Sequence, residues 1–154
     1  MQRNTEHIKN PNRPILKDII SGLNYVILGM LIIITILNFT SSSIKTIIIT
    51  AFLFNLVTAL LIASINIKKS IVLFLSFVIV SAIILLPLFF KPSDNLAFLL
   101  SIFNSFILLF IFGIGEAYIN KKSPLKDGLK IVFIGVMLEL LTYGVAKFII
   151  SLLK

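Results

Sequence analysis

The chain contains no cysteine, which excludes disulfides, thiolate metal sites and cysteine nucleophiles and leaves the redox compartment unread. It has one histidine, His7, in a polar amino-terminal stretch without an evident partner. Neither a histidine metal cluster nor a serine–histidine triad is therefore expected, and His7 reads as an exposed tail residue. No phosphate-cradling glycine loop, no histidine–glutamate metal motif and no activated serine occurs. Enzymatic activity is not expected, and no cofactor is implied.

Charge is scarce as well. Of 154 residues, 13% are charged and 58% hydrophobic, a composition far from that of soluble domains and suited to a bilayer. The net charge of +8 does not point to nucleic acid, because the basic residues separate long apolar runs instead of forming a patch interleaved with aromatics.

Those runs are what the chain has in abundance. A membrane-spanning helix needs about 20 mostly apolar residues, each adding about 1.5 Å across a core of about 30 Å. Five segments qualify, at 19–39, 46–67, 71–90, 96–119 and 131–153. They are rich in β-branched residues but lack the alternation of barrel strands and exceed their length. The expected fold is all-α, a five-helix membrane domain over 19–153 preceded by a basic tail at 1–18. The first span is too long for a signal-peptide core and has no small-residue cleavage site, so it is expected to be retained.

The short connections, 40–45, 68–70, 91–95 and 120–130, leave nothing for a soluble domain. The tail with the second and fourth connections holds ten of the 14 basic residues, among them Lys68, Lys69, Lys121, Lys122, Lys126 and Lys130. Lys45, Lys91, Lys147 and Lys154 fall on the other side. This asymmetry predicts a cytoplasmic amino terminus and an external carboxyl terminus. The plasma membrane is the expected location.

Polar groups within the apolar runs carry the functional information, since a charge at mid-bilayer costs at least ~2.5 kcal/mol. Glu139 is the deepest acid. Gly135 lies one turn before it and Thr142 and Tyr143 one turn after, a polar stripe expected to face inward. Glu139 is the candidate metal ligand, suited to a divalent cation or to carrying a proton; the other reading is a hydrogen-bonded acid that holds two helices together. Lys147 is expected to snorkel outward. Glu116, near Lys121 and Lys122, reads as one member of an interfacial ion pair or, less directly, a cation access site.

Asn24 and Tyr25, Asn55, Thr58 and Ser64, and Asn104 and Ser105 are neutral groups that interhelical hydrogen bonds would explain. Asn55 with Thr58, and Ser101 with Asn104, are spaced to share a face, which would also suit a pore lining. Asn24, Asn55, Thr58, Asn104, Glu116 and Tyr143 are thus candidates for a polar path. Pro87 is expected to kink the third helix or end it early. Gly113, Gly115, Gly135 and Gly144 read as positions of close helix packing.

The run Ser123-Pro-Leu-Lys-Asp-Gly-Leu-Lys-Ile-Val-Phe-Ile-Gly, followed by Thr142-Tyr143-Gly144, resembles the last loop and fifth helix of the vacuolar iron transporter family. Leu85-Leu86-Pro87-Leu88 is similar to a segment of that family's third helix. Leu16-Lys17-Asp18 and Gly22-Leu23-Asn24 resemble the start of its first. The resemblance implies five spans and a homodimer with its ion path between subunits. The chain departs from the family at the metal-binding positions: Tyr25 and Val26 stand where it has an aspartate–glycine pair. Residues 63–67 lack its methionine and glutamate, and Lys68, Lys69 and Ser70 replace its glutamate-rich cytoplasmic extension.

Two functions follow as expectations. One is a divalent-cation transporter, for iron or manganese, working as a homodimer with Glu139 as a relocated acid. The other is a membrane scaffold or partner subunit that keeps the fold without the metal path.

Overall fold

The computed structural model describes residues 13–40, 43–65, 70–90 and 94–152. Residues 1–12 with His7, the side chain of Ser64 and the lysines at 68, 69, 91 and 154 lie outside the described residues, while residues 13–18, expected as tail, form the first turns of the first helix. Five helices follow in order: α1 (Arg13–Phe39), α2 (Ile44–Ile65), α3 (Ser70–Phe90), α4 (Asp94–Asn120) and α5 (Pro124–Leu152). All five are long and apolar enough to cross a membrane, and no strand occurs among the described residues. The protein is an all-α integral membrane protein.

The α1 helix sits at the centre and touches each of the other four. Its inward stripe of Leu23, Val26, Ile27, Met30, Leu31 and Ile34 meets Phe77, Val80, Ile84, Leu85 and Leu88 of α3 to form most of the core. The α5 helix buries the smallest share of its length. Its outer face carries Phe133, Met137, Leu140, Leu141 and Phe148, all exposed, as lipid-facing side chains are in a bilayer, where apolar surface gains nothing from burial.

Local chemistry sets the helix ends. Ser43 caps α2, its hydroxyl accepting the Thr46 amide at 3.2 Å; this satisfies one of the amides a helix start leaves bare. The α4–α5 turn occupies only residues 121–123. Lys121 takes a left-handed conformation with φ 56°. The Lys122 amide reaches back to the Ala117 carbonyl at 2.9 Å, closing α4 with a Schellman arrangement. Ser123 and Pro124 then open α5, proline being tolerated at the first helical position because its missing N–H would be unpaired anyway.

This turn corrects the expected connection at 120–130. The apolar run marks where α5 becomes fully hydrophobic, not where the helix starts. Lys126 and Lys130 are helical and exposed, and Gly128 between them is buried against α4.

Pro87 does not end α3, which continues to Phe90. A proline deprives the carbonyl four residues earlier of its donor, here that of Ile83. The Asn104 side chain of α4 supplies one instead, with Nδ2 3.2 Å from the Ile83 oxygen. Asn104 therefore repairs a neighbouring helix. Asn104→Leu should lower stability by about 1–2 kcal/mol beside Pro87 but have little effect in a Pro87→Ala background, where the backbone bond returns. Thermal unfolding of the four proteins in detergent measures the coupling; equal losses in both backgrounds would refute it.

Candidate functional site

Asn55 and Thr58 also bond within the fold, although Asn55 Oδ1 is buried without a partner. Asn55 is buried and ties α2 to α1 and α3, its Nδ2 lying 3.3 Å from Met30 Sδ and 3.4 Å from the Phe77 oxygen. Thr58 donates to the Phe54 carbonyl of its own helix at 2.8 Å. Ser101 and Ser105 likewise donate to Ala97 and Ser101 carbonyls. Hydroxyls that bond four residues back are spent within their own turn. Asn55 with Thr58, and Ser101 with Asn104, thus work as fold bonds.

The two acids behave differently, and both face α1. Glu139 accepts a hydrogen bond at Oε1 from the Thr35 hydroxyl. Its second oxygen, Oε2, is buried without a partner. Gly135 and Thr142 are buried on the same side of α5, while Tyr143 remains 47% exposed. The Tyr143 ring meets Phe39 edge to face with centroids 4.7 Å apart. The expected inward stripe therefore comprises Gly135, Glu139 and Thr142, with Tyr143 at its rim. Beyond it, α1 and α5 leave an apolar groove of about 240 Å³ lined by Ile36, Leu141, Val145 and Ile149.

Glu116 turns to α1 and not to the lysines beside it. It accepts from Asn24 Nδ2 at 3.2 Å and from Ser21 Oγ at 3.4 Å, and these bonds replace the expected ion pair with Lys121 or Lys122. The carboxylate lines a chamber of about 350 Å³ between α1, α4 and α5 that also receives Asp127, Asn120, Lys122 and Lys130. Asn24 is 6% exposed, and its Oδ1 is buried without a partner. Tyr25, 75% exposed, stands at the chamber's edge.

Asn24 and Thr35 are eleven residues apart on α1, so the two acid positions lie about 16 Å apart along its axis. Sequence reasoning identified both acids but neither Ser21 nor Thr35. Each is separated from its partner by 95 and 104 residues respectively, and one hydroxyl in an apolar run carries no local signal. Among the described residues no three of His, Cys, Asp and Glu cluster as metal ligands. A cation at either acid would thus be completed by neutral oxygens, water or a second chain.

Comparison with known proteins fits this architecture. Searches of curated proteins and of solved structures each return no match. A family model, that of the VIT family, matches residues 62–147, a span that holds α3, α4 and most of α5 with Asn104, Glu116 and Glu139. Covering more than half of a chain built from five membrane-length helices, the match shows that the protein belongs to the VIT family, which points in general terms to a membrane transporter of metal ions.

Proposed function

We propose that the protein carries a divalent cation, iron(II) or manganese(II), across the plasma membrane as a homodimer, with Glu139 as the intramembrane acid of the path. The observation that carries this reading is the state of Glu139: one oxygen is held by Thr35 and the other is buried without a partner. Among the described residues Asn24 and Asn55 also leave one buried oxygen unpartnered, but Glu139 is the one acid that does so, and an unmade bond in hydrocarbon is costliest for a carboxylate.

One carboxylate is too few for a cation, and Glu139 faces α1 of its own chain, so neutral oxygens such as that of Thr35 would have to complete the shell. The thinly buried α5 leaves surface on its opposite face for the homodimer contact. The ten-to-four lysine and arginine asymmetry supports a cytoplasmic amino terminus.

Reconstituted into liposomes, the protein should take up Fe²⁺ or Mn²⁺, and Glu139→Gln should reduce the initial rate at least tenfold. Full flux in that variant would remove Glu139 from the path. Absence of flux in the wild type would favour the scaffold reading, as would isolation of a stable hetero-complex after gentle solubilisation.

A further inference from the structure

The geometry points to a second cation site, formed by Glu116, Asn24 and Ser21 in the chamber between α1, α4 and α5, for a hard, partly hydrated divalent ion such as Mn²⁺. Its role as a loading site rests on the transport reading above; the binding itself does not.

Three features converge. The Glu116 carboxylate is held by Asn24 and Ser21 across from α4 to α1. Both partners are reversible: a serine hydroxyl can accept as readily as donate, and an asparagine amide exchanges nitrogen for oxygen by a half-turn of its side chain. Asn24 is more than nine-tenths buried with Oδ1 unpartnered. Turned toward Glu116, that oxygen would repel the carboxylate unless a cation lay between them. A cation would then join that oxygen to the carboxylate, while the unpartnered position passes to Nδ2.

The chamber has room for this. At about 30 Å³ per water, its roughly 350 Å³ holds an ion and several retained waters. The donors named are carboxylate, amide carbonyl and hydroxyl oxygens, with no nitrogen or sulfur ligand. Such a set suits manganese, magnesium or calcium better than copper or zinc. Asp127 on the α5 side of the chamber adds a second negative charge.

Lys122 and Lys130 also line the chamber, and among the described residues neither is ion-paired with Glu116 or Asp127. Their charge opposes the ion and weakens binding, which suits a site that must release its occupant. Removing one of them should therefore tighten the site.

Mn²⁺ binding to the full chain in lipid nanodiscs, followed by loss of the free-ion paramagnetic resonance signal, tests the site. Wild type should bind saturably and Glu116→Gln at least tenfold more weakly. Asn24→Asp and Lys130→Gln should each bind severalfold more tightly. No saturable binding by the wild type, or equal affinity in Glu116→Gln, would overturn the proposal; weaker binding by Asn24→Asp in a protein that still elutes as folded would count equally against it. Flux that persists while chamber binding is absent removes the site and keeps the transport reading. Chamber binding without flux removes that reading and keeps the site.

Discussion

Gly113→Leu should yield no folded protein, and Gly113→Ala should unfold at a temperature well below wild type. A β-carbon at position 113 would lie 2.9 Å from the Gly128 α-carbon and 3.4 Å from the Asp127 carbonyl oxygen. These are backbone atoms, which cannot rotate away, so α4 and α5 would have to separate. Gly128 is hemmed in by side chains instead, with that of Ile114 3.0 Å and the Phe110 ring 3.1 Å from its own hypothetical β-carbon. The two glycines form a close crossing within the most extensive helix pair of the molecule. Overpacking a tight contact costs about 1–3 kcal/mol, and the alanine loss is expected at the upper end because no side chain can absorb it.

Gly144 supplies the control. Nothing lies within 4 Å of a β-carbon there, which corrects the expectation that it serves helix packing within this chain. Gly144→Ala should be neutral or stabilising by up to about 1 kcal/mol, the ordinary gain in helix propensity. Thermal unfolding in detergent, monitored by circular dichroism, compares the variants. If Gly113→Ala and Gly144→Ala behave alike, the crossing is not what fixes α5. Gly113 also lines the Glu116 chamber, so the same contact sets how far Asp127 stands from Glu116.

Hydropathy made the fold legible because each span must hide its backbone from lipid by itself, whatever its neighbours do. The start of α5 was not legible in that way. Lys126, Asp127 and Lys130 resemble a polar loop, yet the Schellman turn at Lys121 and the Gly113–Gly128 contact hold them in a helix. The informative pairs were also hidden. Pro87 announces a missing donor, but only the packing of α4 on α3 reveals Asn104 as the replacement. Glu116 invites pairing with lysines five and six residues on, whereas the fold brings Asn24 within 3.2 Å. Intramembrane acids can be found from burial cost alone; their partners depend on which helix faces which.

Glu139→Leu should abolish cation flux while making the protein more stable, and this pairing separates the two readings of the residue. If Glu139 served only to join α5 to α1, its loss would weaken the fold. The bond from Thr35 is replaceable, however. Thr58, Ser101 and Thr142 each donate to a carbonyl of their own helix, and Thr35 can do the same once the acid is gone. Leucine is similar in size to glutamate and removes a carboxylate whose Oε2 is buried without a partner. Replacing a poorly satisfied buried acid by a packed apolar group is often stabilising, by about 1–4 kcal/mol.

Thr35→Val alone should act in the opposite direction. It strips Glu139 of its hydrogen-bond donor and should cost about 1–3 kcal/mol, the usual penalty of an unsatisfied buried group. The Thr35→Val/Glu139→Leu double variant should regain wild-type stability or exceed it, and should still transport nothing. Unfolding temperatures and liposome flux for the four proteins decide the matter. A Glu139→Leu protein that unfolds earlier than wild type yet still moves Mn²⁺ would make the acid a structural tie and transfer the path elsewhere. The expected pattern, higher stability with flux lost, means that the chain retains a destabilising acid at mid-span because the cation requires it.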